Sequence, residues 1–193
     1  MEENKMSQRI IWQNKETAGC EYVHIIEDDE SIIAKGTVLF VEKGQPYQVN
    51  YEIEVDQHWI TKGVRIQLNE AYKELNLQTN NKGKWCLNGN RVKDMDGTID
   101  VDLSVTPLSN TLPIKRCTWR EGETKTFQML YIDIPSFDLK KLKQTYTYIG
   151  RDNNQRTFRY TCQDYKTTIS VDEDGFVIEY PNLFTRKANL VRE

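Results

Sequence analysis

The chain has 193 residues, 38% of them apolar and 28% charged, with four Trp, ten Tyr and six Phe and a formal net charge of −3. That is enough for one well-filled domain, 1–193, and a chain so rich in aromatic side chains is not a disordered one. Its longest apolar run, 36–41, falls far short of the roughly 20 residues that a membrane-spanning helix needs, and the acidic balance disfavours a phosphate-binding surface, so neither a transmembrane segment nor a nucleic-acid partner is expected.

The segment Met1–Arg9 is charged and leads into no apolar signal region, which predicts a cytoplasmic protein. From Tyr22 to Val55 the sequence alternates as successive strands do. Ile32–Val41 forms one strand, and Tyr47, Val49, Tyr51, Ile53 and Val55 share one face of the next, with Glu42–Pro46 as the hairpin between them. Ile60, Val64, Ile66 and Leu68, then Leu75 and Leu77, continue the meander, and Asn80–Gly83 marks a turn before Trp85. A strand follows at 98–105. It places Ile99, Val101, Leu103 and Val105 on one side and Thr98, Asp100, Asp102 and Ser104 on the other.

Pro107 and Pro113 then bracket Leu-Ser-Asn-Thr-Leu, which reads as a rigid polar turn, because each proline fixes its own φ and holds the residue before it extended. Phe127–Ile134 is a strand, and Phe137–Gln144 is a short helix candidate with Ser136 as its cap. Phe158–Cys162 is another strand. A closing hairpin joins Ile169 and Val171 to Phe176–Tyr180 through Asp172–Gly175. So many strands in one domain must curl to cover their apolar face, and curled sheets often enclose a ligand.

Cys20, Cys86, Cys117 and Cys162 lie far apart with no C-x-x-C pair, so no structural metal is expected and the thiols read as core-filling residues. Asp94–Asp100 offers three carboxylates and a glycine without the spacing of a calcium loop. The nucleophile, metalloprotease, P-loop and dinucleotide motifs are absent, so no catalytic residue and no cofactor are assigned. Leu139–Lys143 is a local basic run, either solvated or set against an anionic partner.

Asp100 and Asp102 share a strand face roughly 6 to 7 Å apart. They could accept from sugar hydroxyls, hold a cation, act as acid and base, or simply be solvated or paired with Arg116 and Arg65. Asn110 and Thr111 either steady the turn or recognise a polar head group, with Arg116 offering a planar fork for an anion. Trp59 is core, or a stacking platform at a cavity rim.

Five segments carry a resemblance from about Trp12 to Arg186. They are Tyr51–Trp59, Gly83–Trp85, the run Asp96–Pro107 with Asn110–Arg116, Gln144–Tyr146, and Val171–Pro181. The chain resembles the bacterial family described as putative glycolipid-binding proteins. That resemblance implies a mainly β, single-domain fold, a large antiparallel sheet curled into an incomplete, half-open β-barrel like those of Lol-type lipoprotein carriers, with at most one or two short helices.

It also adds Gln144 and Tyr146 to the ligand-binding set of Asp100, Asp102, Asn110, Thr111, Arg116, Arg65 and Trp59. The function expected is non-catalytic binding of an amphiphile, a glycolipid or similar, within the curled sheet. The alternatives are a hydrolase acting on a glycan or lipid head group through Asp100 or Asp102, and a ligand-free homodimer paired through a strand edge.

Overall fold

The computed structural model describes residues 6–69, 73–80 and 83–192. Met1–Lys5, and Asn81 and Lys82 of the expected turn at Asn80–Gly83, lie outside them.

The first half of the chain is a meander of β1 (Met6–Asn14), β2 (Gly19–Glu27), β3 (Ile32–Glu42), β4 (Gln45–Val55), β5 (Thr61–Leu68), β6 (Lys73–Thr79), β7 (Trp85–Leu87) and β8 (Asn90–Arg91). The second half comprises β9 (Asp100–Leu103), α1 (Leu108–Arg116), β10 (Thr124–Ile132), β11 (Leu139–Asp152), β12 (Gln155–Cys162), β13 (Tyr165–Val171), β14 (Val177–Tyr180) and β15 (Phe184–Arg192). All 15 strands join one sheet in the order β8-β7-β6-β5-β4-β3-β2-β1-β15-β14-β13-β12-β11-β10-β9. Only β9 and β10 run parallel; the other neighbours are antiparallel.

Alternation sets each strand's inner face. Val49, Tyr51, Ile53 and Val55 of β4 are buried as the period of two requires, and β3 and β4 close at Glu42 and Gln45 around Lys43 and Gly44, both at positive φ as a tight hairpin turn demands. Tyr51 lies across from Gly36 on β3, where an added Cβ would fall 2.1 Å from the ring. The missing side chain lets the phenol lie across β3 and reach Glu21 on β2.

The sheet's terminal strands, β8 and β9, are neighbours in sequence, and the connection 92–99 spans the opening between them. Gly97 N–H donates to the Gly83 carbonyl at 2.9 Å and Trp85 Nε1 to the Thr98 carbonyl at 3.0 Å on one side. On the other side Lys141 Nζ of β11 donates to the Asp96 carbonyl at 2.6 Å. The result is a curled, unclosed sheet.

Two elements differ from the sequence expectation. Residues 108–116 form a helix, not a turn, and its residues from Leu108 to Ile114 are all buried. Leu108 and Leu112 join the apolar cluster of β1–β7, β9 and β10, while Ile114 joins the cluster of β11–β15. Two of its polar residues have strand partners in place of solvent, so the sequence shows no amphipathic stripe: Ser109 Oγ accepts from Leu103 N–H at 2.9 Å, and Asn110 reaches Tyr146.

Residues 139–144, expected to be helical, begin the long strand β11. The Leu139–Leu142 spacing suggests a helix, but Gln144 and Tyr146 turn inward with a period of two and β10 and β12 flank the strand on both sides. Ser136, the expected helix cap, instead donates to Asp133 and accepts from Asp138 N–H in the β10–β11 connection.

Candidate functional site

β9 is buried except at Asp102, which is half-buried. Val101 and Leu103 enter the apolar core, while Asp100 and Asp102 face α1 and β11. The chain leaves β9, turns at Thr106–Pro107 and returns along α1, which brings Arg116 back beside Asp100. The guanidinium grips that carboxylate with two bonds, Nε to Oδ1 at 3.2 Å and Nη2 to Oδ2 at 2.6 Å, and lies 5.2 Å from the centroid of the Phe127 ring. Asp100 is 1% exposed, and burial raises its pKa while Arg116 pulls it back. Every fork position that Arg116 could offer an anionic ligand along this edge is directed at Asp100.

Asp102 is built differently. Gln144 Nε2 donates to its Oδ2 at 2.5 Å; Tyr146 Oη donates to Gln144 Oε1 at 3.1 Å; Asn110 Nδ2 donates to Tyr146 Oη at 2.9 Å. All three donations point the same way and end on the carboxylate, so each bond polarises the next. Tyr146 is fully buried, which drives its pKa well above the ordinary phenol value and keeps the hydroxyl available as a donor. Burial pushes Asp102 up to about 6, with hydrogen bonds from Gln144 and Ser109 acting against it.

Asp102 and Asn110 open onto a cleft of about 390 Å³. This lies within the range of small-molecule clefts, roughly 300–1,000 Å³. Tyr131, Tyr160, Tyr165, Tyr180 and Phe184 supply its aromatic walls, Thr106 and Glu16 further polar groups, and Leu142 and Leu183 apolar ones. The rings of Tyr160, Tyr165 and Tyr180 pack against one another with centroids 5.9–6.4 Å apart. Tyr165 remains 43% exposed at the rim.

The structure therefore gathers Asp102, Asn110, Gln144 and Tyr146 at one place, with Asp100 and Arg116 beside them as a closed pair. Three other candidates lie elsewhere. Thr111 is wholly buried within α1, with no partner for its hydroxyl. Arg65 is on the outer surface of β5, 3.5 Å from Glu74, in a separate depression with His24 and Lys35. Trp59 packs edge-on against Phe176 at 5.9 Å, with Lys115 Nζ 4.4 Å from its ring centroid.

The four wall tyrosines and Glu16 were not singled out from the sequence, nor was Glu21. Glu21 is 1% exposed and accepts hydrogen bonds from Tyr51 and from Thr106, the latter at 2.7 and 2.8 Å; burial pushes it up to about 7. Its signal was parity: Glu21 shares the inward phase of Val23 and Ile25.

Among the described residues, no group of three or more His, Cys, Asp or Glu could hold a metal ion. Within Asp94–Asp100, Asp96 pairs with Arg91 and Asp100 with Arg116. No helix of the described residues is long and apolar enough to cross a membrane.

A family model matches residues 9–186, nearly the whole described chain. The chain belongs to the family described as putative glycolipid-binding. Among solved structures it is similar to a DUF1089 family protein from Pseudomonas aeruginosa, at 26% identity and a TM-score of 0.74, over 86% of this chain and 92% of that one. No curated protein matches it. The neighbour shares the fold across almost its whole length, while the cleft described above is read from this chain's own side chains.

Proposed function

We propose that this family member is a non-catalytic binding protein that takes the hydroxylated head group of an amphiphile, a glycolipid or similar, into the cleft between β9, the start of α1 and β12–β15. The observation that carries this reading is the one-way hydrogen-bond chain from Asn110 to Asp102, which ends beside a wall of tyrosine rings. A sugar needs just this pairing: fixed acceptors and donors for its hydroxyls and flat aromatic faces for its C–H surface. That α1 fills the interior the sheet surrounds supports a site on this flank for the ligand's polar end. The site residues are then Asp102 and Asn110 in contact, with Gln144 and Tyr146 orienting them. Four free thiols support a cytoplasmic setting.

Native mass spectrometry of protein from its own host, followed by organic extraction, tests the reading. A stoichiometric amphiphile that is lost in Asn110→Ala is the expected result. An empty protein that also takes up no fluorescent lipid analogue overturns it.

One observation favours a second reading, hydrolysis of a glycan or lipid head group. Asp102, held at about 6, could serve as an acid with Glu16 on the same cleft wall. Turnover of nitrophenyl glycosides that is abolished in Asp102→Asn would replace binding by catalysis. A homodimer would use β15, which beyond Arg186 pairs with β1 on one side and, among the described residues, with no strand on the other. A sedimentation coefficient that rises with concentration would support it.

A further inference from the structure

The charge of the cleft narrows the ligand class. This step rests on the head-group reading above. Among the described residues that line the cleft there is no Lys, Arg or His, while two carboxylates, Asp102 and Glu16, are present. Three neighbouring bases are directed elsewhere: Arg116 is closed on Asp100, Lys15, next to Glu16, donates to Glu179 at 2.8 Å, and Lys141, next to Leu142, donates to the Asp96 carbonyl at 2.6 Å. An anionic head group would therefore meet two acids and no counter-charge.

The aromatic wall favours the opposite sign. Tyr160, Tyr165 and Tyr180 are tilted 40–69° to one another, so their faces look in different directions around one corner of the cleft. Burial raises the pKa of Tyr160 and Tyr180 above the ordinary phenol value, so both rings stay neutral. A neutral aromatic ring carries negative potential on its faces and attracts a cation that approaches within about 6 Å. Carboxylates beside aromatic faces, with no base among them, match an ammonium group better than a sulfate, phosphate or uronic acid.

We propose that the cleft selects a head group bearing a positive charge, of the amino-sugar class, over neutral and anionic sugars. The hydroxyls go to Asp102 and Asn110, and the ammonium lies against the faces of the tyrosine corner within reach of the carboxylates.

Three octyl glycosides with one tail and one ring test this, titrated calorimetrically at pH 7 below their micellar concentrations: the glucoside, the 2-amino-2-deoxyglucoside and the glucuronide. The amino sugar is expected to bind about ten-fold tighter than the glucoside, with the glucuronide weakest. In Asp102→Asn both sugars lose a hydroxyl acceptor and the amino sugar also loses the charge, so the amino-to-neutral ratio should fall toward one. Glu16→Gln, an exposed substitution, should reduce the ratio without touching the fold, and so serves if Asp102→Asn is poorly folded. A glucoside bound as tightly as the amino sugar overturns the charge inference and leaves the head-group reading standing, as does a glucuronide bound tightest. Binding of none of the three overturns both.

Discussion

Glu21, buried, and Asp102, half-buried, are carboxylates in opposite halves of the same sheet, and the two halves accommodate them differently. In the β1–β8 half the interior is almost wholly apolar, and Glu21 is sealed: one phenol, one hydroxyl and no opening. In the β9–β15 half the interior is rich in tyrosine, and Asp102 ends a hydrogen-bond chain that leads to a cleft. Thr106 joins the two regions, since its hydroxyl donates to Glu21 while the residue lines the cleft. A buried acid is thus no sign of a site by itself. What separates the two is whether its partners leave a face open to a ligand.

The Asp100–Arg116 pair gives that distinction its strongest test. Arg116→Ala would strand a carboxylate that is 1% exposed, and removing one partner of a buried pair costs about 3–5 kcal/mol. Urea unfolding should show that loss, with part of it recovered in the Asp100→Asn, Arg116→Ala double variant. The folded fraction should still bind the head group, because Arg116 does not line the cleft. Retained stability with lost binding would place Arg116 in the site and break the comparison.

Titration gives the next largest effect. Glu21 goes from an ordinary 4.5 to about 7 on folding, so the folded protein holds this proton more tightly than the unfolded chain. Its contribution is fully present below pH 4.5 and is lost as pH rises through 7, a change of about 3 kcal/mol at 1.36 kcal/mol per pKa unit. Asp102, raised from 3.8 to about 6, acts with the same sign over a lower window. Glu21→Gln should therefore be more stable than the wild type at pH 8 and indistinguishable from it at pH 4. Asp102→Asn should flatten the profile between pH 4 and 6. A Glu21→Gln curve parallel to the wild type at every pH would show that the sealed carboxylate never titrates with folding.

The difference between the halves also explains which parts of the molecule could be read from the sequence. In β3–β6 alternation alone sets register and face, since each strand pairs with its sequence neighbour and one side is apolar. α1 was hidden because Ser109, Asn110 and Thr111 look like turn residues until strands on two sides enclose them. The site was half legible. Asp102 and Asn110 belong to one continuous motif, and Gln144 and Tyr146 came through the resemblance, but the tyrosine wall is assembled from β10, β12, β13 and β14, whose spacing carries no local signal. Arg116 was legible as a residue and not as a partner: the return of α1 onto β9 decides that it closes on Asp100.

The smallest effect is the sharpest probe of the open region. Tyr146→Phe deletes one hydroxyl, yet that hydroxyl both accepts from Asn110 and donates to Gln144. The cost in stability should be about 2 kcal/mol, as for two net hydrogen bonds of about 1 kcal/mol each. Loss of the hydroxyl leaves the Gln144 amide held from one end only, and the Gln144 bond is the main influence that lowers Asp102 against burial. Asp102 should then titrate above its present value, followed by carboxyl-carbon NMR, and the head group should bind less tightly although Tyr146 does not line the cleft. Glu21, on the sealed side, should not move. A shift at Glu21 as large as that at Asp102 would mean that the two carboxylates are coupled through Thr106 and respond as one unit.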